Sequence, residues 1–505
     1  MIRRTYLLAG AALLLTTAPV SAETLRDALV KAYNTNPTLA AERASVRALD
    51  ENVPIARSSG LPALNLTSNY TENVIGSEDS FLSPDRQLNG ATTLSVPIFS
   101  GGAVRNSVKA AETRVDAGDL GLRGTEANLF ATVVGAYMDV IRDEAIVSLN
   151  EQNVHVLDVN LQASKDRFQV GDLTRTDVAQ SDARLAVARS QLQTAQSRLI
   201  SSRESYIRFI GSPPGDLEVP PPLPNLPGDP DTAVDIALKN NPTLLAAQKS
   251  REAAGYDIDV ARAGRLPKLS ANVGGNYFNY LGSYGAGTSP KPGQTGTAGS
   301  VGVGITVPLF QGGRPAAEVR QAQERRAQAI EQVTETERGV ISDARSAYAV
   351  WKSSLEVIAS SEVAVNANKL SLEGVRAENS VGNRTILDIL NAEQELLNTQ
   401  VTLVSARRDA YVAGFALLAA MGKAEARDLG LDGGPLYDPT TNYRRVRGKI
   451  WDYGSEADPA TVSTSTVGTP AQGSTVTRPL DPILDAPPVE PVVDTSAPNP
   501  AGGNK

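Results

Sequence analysis

The sequence predicts an α+β fold in which one unit is written twice, each copy supplying a hairpin of strands and a helical hairpin longer than a soluble domain holds. Three observations predict it. No proline interrupts the chain between Pro97 and Pro213, or again between Pro315 and Pro435. Inside the first run Val133, Val140, Val147, Val154, Leu161 and Phe168 recur every seventh residue, followed by Val178, Leu185, Leu192, Leu199 and Tyr206; this is the spacing of a coiled-coil seam. Blocks of the first half also return in the second at a fixed displacement. Asn36-Pro37-Thr38-Leu39 and Leu61-Pro62 reappear 205 residues on, at Asn241-Pro242-Thr243-Leu244 and Leu266-Pro267. Beyond a variable loop the displacement is 211, carrying Val96-Pro97-Ile98-Phe99 onto Val307-Pro308-Leu309-Phe310, Gly101-Gly102 onto Gly312-Gly313, and Tyr137, Gly171, Asp177 and Gly211 onto Tyr348, Gly382, Asp388 and Gly422. The segments 96–211 and 307–422 align without a gap, the mark of an internal repeat.

The chain opens with Arg3 and Arg4, an apolar stretch over 6–15 and the small residues Val20-Ser21-Ala22, which read as a cleaved signal peptide over 1–22. The apolar part is too short for a membrane anchor. The first repeat, 23–228, starts with a short helix over 24–36, stopped by Asn36-Pro37, and an amphipathic helix over 38–58. A strand hairpin follows at about 61–98, where Leu64 and Leu66 alternate with Asn65 and Thr67, and then a helical hairpin at about 102–210 that turns at Gly171. Its first arm spans roughly 100 Å at 1.5 Å per residue. The second repeat, 229–435, has helices over 232–241 and 243–264, a strand hairpin at about 266–309 and a helical hairpin at about 313–421 that turns at Gly382. Its strands alternate cleanly: Leu269, Ala271 and Val273 with Ser270, Asn272 and Gly274, then Val301, Val303, Ile305 and Val307 with Gly302, Gly304 and Thr306. The segment 436–454 contains the basic and aromatic residues of 443–451, read as a short strand near the middle of the body. The Pro-, Thr- and Ser-rich tail 455–505 reads as disordered.

Four strands with an apolar side cannot close a barrel, which takes about eight, and lipid does not tolerate unpaired strand edges. Other copies must complete the sheet, and three copies give twelve strands. The formal net charge is −8, and loss of the signal with Arg3 and Arg4 moves it to −10, which argues against nucleic acid as a partner. With no cysteine there is neither a disulfide nor a thiol for a lipid anchor. Catalysis and cofactors find no support. His155 is the single histidine, Trp351 falls on a seam position, and the glycines of 282–304 lack the Gly-Lys-Ser/Thr ending of a phosphate loop.

The paired Asn-Pro steps, the Val-Pro-(Ile/Leu)-Phe-x-Gly-Gly blocks ending at Gly102 and Gly313, and the stretch from Val381-Gly382-Asn383-Arg384-Thr385 to Asn391-Ala392 resemble the TolC family of outer-membrane export channels over most of 23–434. The resemblance implies a homotrimer: a twelve-stranded β-barrel in the outer membrane, four strands per protomer, continued by a periplasmic α-helical coiled-coil barrel. Its partners would be outer-membrane lipid, a periplasmic adaptor and an inner-membrane ABC transporter or RND pump. It further implies a gate at the tips marked by Gly171 and Gly382, with Arg384 matching the family's gating arginine, Thr176 and Asp177 its partners, and Asp388 an acidic ring at the narrowest point. Two positions depart: Asn379 stands where the family's best-known form has tyrosine, and Asn391 where it has a second acidic ring. The missing lipid-anchor cysteine and the Pro-rich tail favour type I protein secretion. A multidrug outlet for a proton-driven pump is the alternative, and a non-conducting periplasmic tether the reading from another class, against which the alternating strands speak.

Overall fold

The computed structural model describes residues 22–74, 84–285, 289–290, 292–431, 436–454 and 456–476. The expected signal peptide, apart from its last residue, and the end of the tail lie outside the described residues.

Helix α1 (Leu25–Thr35) opens on a capping box: the Asp27 N–H donates to Thr24 Oγ1 while the Asp27 carboxylate accepts the N–H of Thr24. It stops at Asn36, a buried side chain with two tasks. Asn36 Oδ1 accepts the N–H groups of Thr38 and Leu39, capping α2 (Pro37–Asp50), and its Nδ2 donates to the Phe209 carbonyl at 2.8 Å, in the last turn of α5 (Arg175–Ile210). The second repeat does the same. Asn241 ends α6 (Pro230–Asn240), caps α7 (Pro242–Ala263) through Thr243 and Leu244, and donates to the Ala420 carbonyl at 2.9 Å, at the end of α9 (Ile386–Ala420). Proline follows both asparagines because the first helical N–H has no partner to lose. The amphipathic helix expected over 38–58 is broken at Glu51, and α3 (Asn52–Ser58) follows. Pro54 cannot donate to the carbonyl of residue 50, and its ring crowds that carbonyl; α7, with no internal proline, runs on unbroken.

Four antiparallel strands, β1 (Ala63–Glu72), β2 (Arg86–Phe99), β3 (Lys268–Asn279) and β4 (Thr295–Thr306), form one sheet in chain order, so the two repeats join at β2 and β3. Register puts Leu64, Leu94, Val273 and Val301 in one row across all four strands, with Val96, Ala271 and Val303 in the next row of that face. The opposite face carries Asn65, Thr93, Gly274 and Ser300, then Ser95, Asn272 and Gly302. Neither face is covered: on the apolar one Val301 is 84 % exposed and Leu66 77 %, and on the other Asn65, Ser300 and Gly302 are exposed. A sheet exposed on both sides, apolar on one and small and polar on the other, suits lipid outside and water inside. The outer edges of β1 and β4 have no strand partner within the described residues. Phe99 and Phe310, equivalent in the repeat, are exposed at the helix-side end, where aromatic side chains sit at a membrane interface.

The Gly-Gly doublets turn strand into helix. Gly101 and Gly102, and Gly312 and Gly313, all have positive φ, a conformation that costs glycine little. From them run α4 (Ala103–Gln169) and α8 (Arg314–Ser380), each of 67 residues, or about 100 Å. Each packs with its return helix, α5 or α9. On the sheet side α3, α4, α7 and α8 lie side by side; on the far side the neighbours are α5, α4, α9 and α8. The heptad seam holds where expected: Val133, Val140, Val147, Leu161, Leu185, Leu199 and Tyr206 are buried. It ends earlier than the spacing predicts. Phe168, next to the turn, is 44 % exposed.

The main core lies midway, where α1, α4, α5, α9 and the 211–229 connection meet around Tyr33, Phe130, Tyr137, Tyr206 and Phe415. Trp351 is buried there against Tyr348. The Tyr137 hydroxyl lies 2.8 Å from the Glu23 carbonyl, and that of Tyr348 lies 2.7 Å from the Gly228 carbonyl. Glu23 and Gly228 are themselves related by the 205-residue displacement, so the bond is duplicated with the unit. Two expectations are corrected here. The basic aromatic segment 443–451 forms no strand: α10 (Thr440–Val446) is a helix, held to buried Asp50 by Asn442 Nδ2 at 2.7 Å. The tail is not free from 455 onward, since 456–476 runs back along α5. Arg203 donates to the carbonyls of Gly473 and Thr475, Glu204 accepts the Gln472 N–H, and Val476 packs on the core.

Candidate gate at the helical tips

The two tips are built alike. Each long helix ends on a left-handed glycine, Gly171 at φ 89° or Gly382 at φ 83°. Each also closes two reverse bonds: Gly171 N–H to Phe168 O and Asp172 N–H to Arg167 O, or Gly382 N–H to Asn379 O and Asn383 N–H to Glu378 O. This arrangement satisfies the last carbonyls and points the chain back. Three residues later the return helix starts on a threonine cap. Thr174 Oγ1 accepts the Asp177 N–H while Asp177 Oδ2 accepts the Thr174 N–H at 2.9 Å, and Thr385 and Asp388 repeat the pair.

Those bonds place the residues expected at the gate. Asp177 and Asp388 sit in the first turns of α5 and α9, and the threonine hydrogen bonds, side chain first, hold both carboxyls below the usual carboxylate range. Thr176 is exposed beside Asp177. Arg384 does not meet Thr176 or Asp177 within the protomer. Its Nε donates to Glu378 Oε2 at 2.7 Å across its own turn, and this contact raises the guanidinium above its ordinary value. Asn379 donates to the Arg384 carbonyl at 2.7 Å, so the residue that departs from the family's tyrosine braces the turn. Asn391 reaches the other hairpin, its Oδ1 accepting from Arg184 Nη2 of α5 at 2.7 Å.

Sequence reasoning missed the capping threonines, although Thr-x-x-Asp written twice at the 211-residue displacement carried the signal. It also missed Glu393. This buried carboxylate of α9 accepts Asn160 Nδ2 from α4 at 3.0 and 3.1 Å and Arg376 Nη2 from α8 at 3.0 Å. No spacing in the sequence announces a contact among three helices. Among the described residues no helix is long and apolar enough to cross a membrane, and no group of side chains could hold a metal ion.

An open sheet with an apolar row across every strand, standing on helices about 100 Å long that end in polar, tightly turned tips, is the protomer of an outer-membrane channel. The family described as outer membrane efflux protein matches residues 28–212 and 233–423, which takes in most of both repeats. The chain is 35 % identical to the outer membrane efflux protein BepC of Brucella suis over 85 % of its own length and 91 % of that protein's. It is 26 % identical to the alkaline protease secretion protein AprF of Pseudomonas aeruginosa, over 64 % of this chain and 67 % of that one. The CmeC outer membrane channel of Campylobacter jejuni superposes with a TM-score of 0.69 at 17 % identity, covering 84 % of this chain and 89 % of the other. The chain belongs to the outer membrane efflux protein family, the TolC family of the resemblance above, and its place is the outer membrane.

Proposed function

We propose that a homotrimer of this chain is the passive exit duct of a tripartite export system, shut at the tips and opened by a periplasmic adaptor and an inner-membrane pump. One observation carries the reading: the lipid-suited sheet and the 67-residue helices form one continuous wall, which a duct needs and a tether does not. On this reading the energy comes from the pump. Type I protein secretion is the finer reading. It is supported by the absence of a cysteine for lipid attachment and by the relative named for alkaline protease secretion. A multidrug outlet is the second reading, favoured by the likeness to the relative named for efflux.

Photo-crosslinkers placed at Asp172 and Asn383, in the two tip turns, test both levels. In intact cells they are expected to capture an adaptor together with an ABC transporter. Capture of a proton-driven pump instead overturns the secretion reading and leaves the duct; a trimer that passes no ions in a planar bilayer overturns the duct.

A further inference from the structure

We propose that residues 447–454, the apex of the C-terminal segment, anchor each protomer in the anionic headgroups of the membrane leaflet that faces the helices. The proposal needs the sheet's place in the outer membrane and not the duct reading. Contacts within the chain fix the height of this segment. Tyr437 is tied to the midway core, its N–H donating to Tyr33 Oη at 2.9 Å. From there the chain climbs beside α2 and α3: Asn442 donates to Asp50, the Tyr443 hydroxyl donates to Glu112 Oε1 at 3.2 Å, and Arg57 Nη1 donates to the Arg447 carbonyl at 3.2 Å. Glu112 is about 14 Å below the start of α4 at 1.5 Å per helical residue. Arg57 is one tight turn short of β1, the Gly60 N–H bonding to its carbonyl and the Leu61 N–H to that of Ser58. The chain then runs back down. A Cβ on Gly211, at the end of α5, would lie 2.9 Å from Thr464 Oγ1, and the Gln472 N–H reaches Glu204. Residues 447–454 are therefore the part of the described C-terminal segment nearest the sheet, and each bond that sets this height lies within one chain.

What the apex carries suits that height. Ile450, Trp451 and Tyr453 are 71, 76 and 87 % exposed, the two rings edge to face at 5.8 Å. Phe99 and Phe310 stand exposed at the same end of the sheet. Tryptophan and tyrosine settle at headgroup level because one part of the ring system is apolar and another donates a hydrogen bond. Beside them Arg444, Arg445, Arg447 and Lys449 outnumber Asp452, the single acid of 443–454, in a chain whose formal net charge is −8. Glu456 accepts from both Arg445 and Lys449, Asp438 lies 3.9 Å from Arg444, and Arg447 stacks over the Tyr443 ring at 5.8 Å. One acid shared by two cations leaves a surplus of positive charge at the apex. Long basic side chains lay their stems on apolar surface and keep the charge at the phosphates. With no cysteine to carry a lipid chain, the apex gives the protomer a second hold on the bilayer beside the sheet.

The test is quenching of Trp451 in the full chain, reconstituted in vesicles of phosphatidylcholine and phosphatidylglycerol with bromine on acyl carbons near the headgroup of one lipid or the other. Trp351, the second tryptophan, is buried in the midway core and beyond the quencher's reach; heat-resistant oligomers on a gel check folding. Both brominated lipids should quench, and Trp451→Phe should abolish the effect. At equal mole fraction brominated phosphatidylglycerol should quench more strongly. Arg444→Gln with Arg447→Gln should narrow that difference several-fold, since each cation near the surface changes the local anionic lipid by a factor of about five. Unquenched emission from an inserted, folded parent overturns the anchor: if blue-shifted, Trp451 is packed against a neighbouring copy, and if red-shifted, it stands in water. Equal quenching by the two lipids in the parent overturns the recognition of anionic headgroups, as does a difference that survives undiminished in the double arginine variant.

Discussion

Asp119 of α4 shows how packing alone turns an unremarkable residue into a titrating one. Burial, then the carboxylates of Asp50, Asp116 and Asp438, push its carboxyl up to about 6. Burial also pushes Asp50 up, against its hydrogen bond from Asn442 and the charge of Arg47. The closeness has a visible cause: a Cβ on Gly118 would lie 2.6 Å from Leu49 Cδ1, so α2 meets α4 where the side chain is missing and brings Asp50 beside Asp119. Each carboxylate keeps one buried oxygen without a hydrogen-bond partner among the described residues. Lys249 of α7 faces the cluster too, but is engaged with Asp116. A carboxyl raised in the folded state stabilises the fold fully below its unfolded value near 4, and that contribution is lost as pH rises through about 6. The loss, discounted for solvent, is on the order of 1–2 kcal/mol. Asp119→Asn should therefore raise the melting temperature at pH 7.5 by a few degrees, on the order of ΔΔG over the unfolding entropy, leave it nearly unchanged at about pH 3, below the unfolded value, and flatten the slope between. Parallel pH profiles for variant and parent would show that the pair carries no such penalty. None of this is legible in the sequence, where Asp50 and Asp119 are two acids among many.

At the scale of elements, the Asn-Pro steps join two helical layers. Each asparagine caps the helix after it and takes up a carbonyl left over at the end of a return helix, Phe209 or Ala420. Asn36→Ala should cost about 1–2 kcal/mol for the cap and about 1 kcal/mol more for the abandoned carbonyl. Asn241→Ala, at a less buried position, should cost less, and denaturant midpoints in detergent order the two. Equal midpoints for both variants and the parent would mean the joint does not bear load. These elements were legible because each rests on local chemistry: heptads for the seam, single glycines for the hairpin turns, alternation for the sheet. The misreadings share one cause. Phe168 continues the heptad but is left exposed beside the turn, the start of 443–451 has strand-like composition but coils against α2 within α10, and the tail lacks a core of its own but borrows that of α5. In each case the deciding atoms belong to another element. The same holds for the tips, where the turns at Gly171 and Gly382 rest on local chemistry, while Glu393 needed three helices in position.

At the scale of the whole molecule, the proposed trimeric duct sets three Asp388 side chains around one opening, and on that reading selectivity follows from their summed field. Their threonine hydrogen bonds keep these carboxylates ionised at any periplasmic pH in the neutral range. Asn391 supplies no second ring of charge; it instead holds the guanidinium of Arg184 at 2.7 Å, a cation one helical turn away from the acid. The opening should favour cations weakly, read as a small reversal potential under a potassium chloride gradient. Asp388→Asn removes the only acid of that ring and should bring the potential near zero. Asn391→Asp adds three carboxylates but sets each against Arg184, so the gain in cation preference should be smaller than the loss in Asp388→Asn. Adding Arg184→Gln to Asn391→Asp should then release the full effect. If Asn391→Asp alone shifts the potential as far as the double variant, Arg184 is too well screened to matter, and the field at the tip is set by the carboxylates without it.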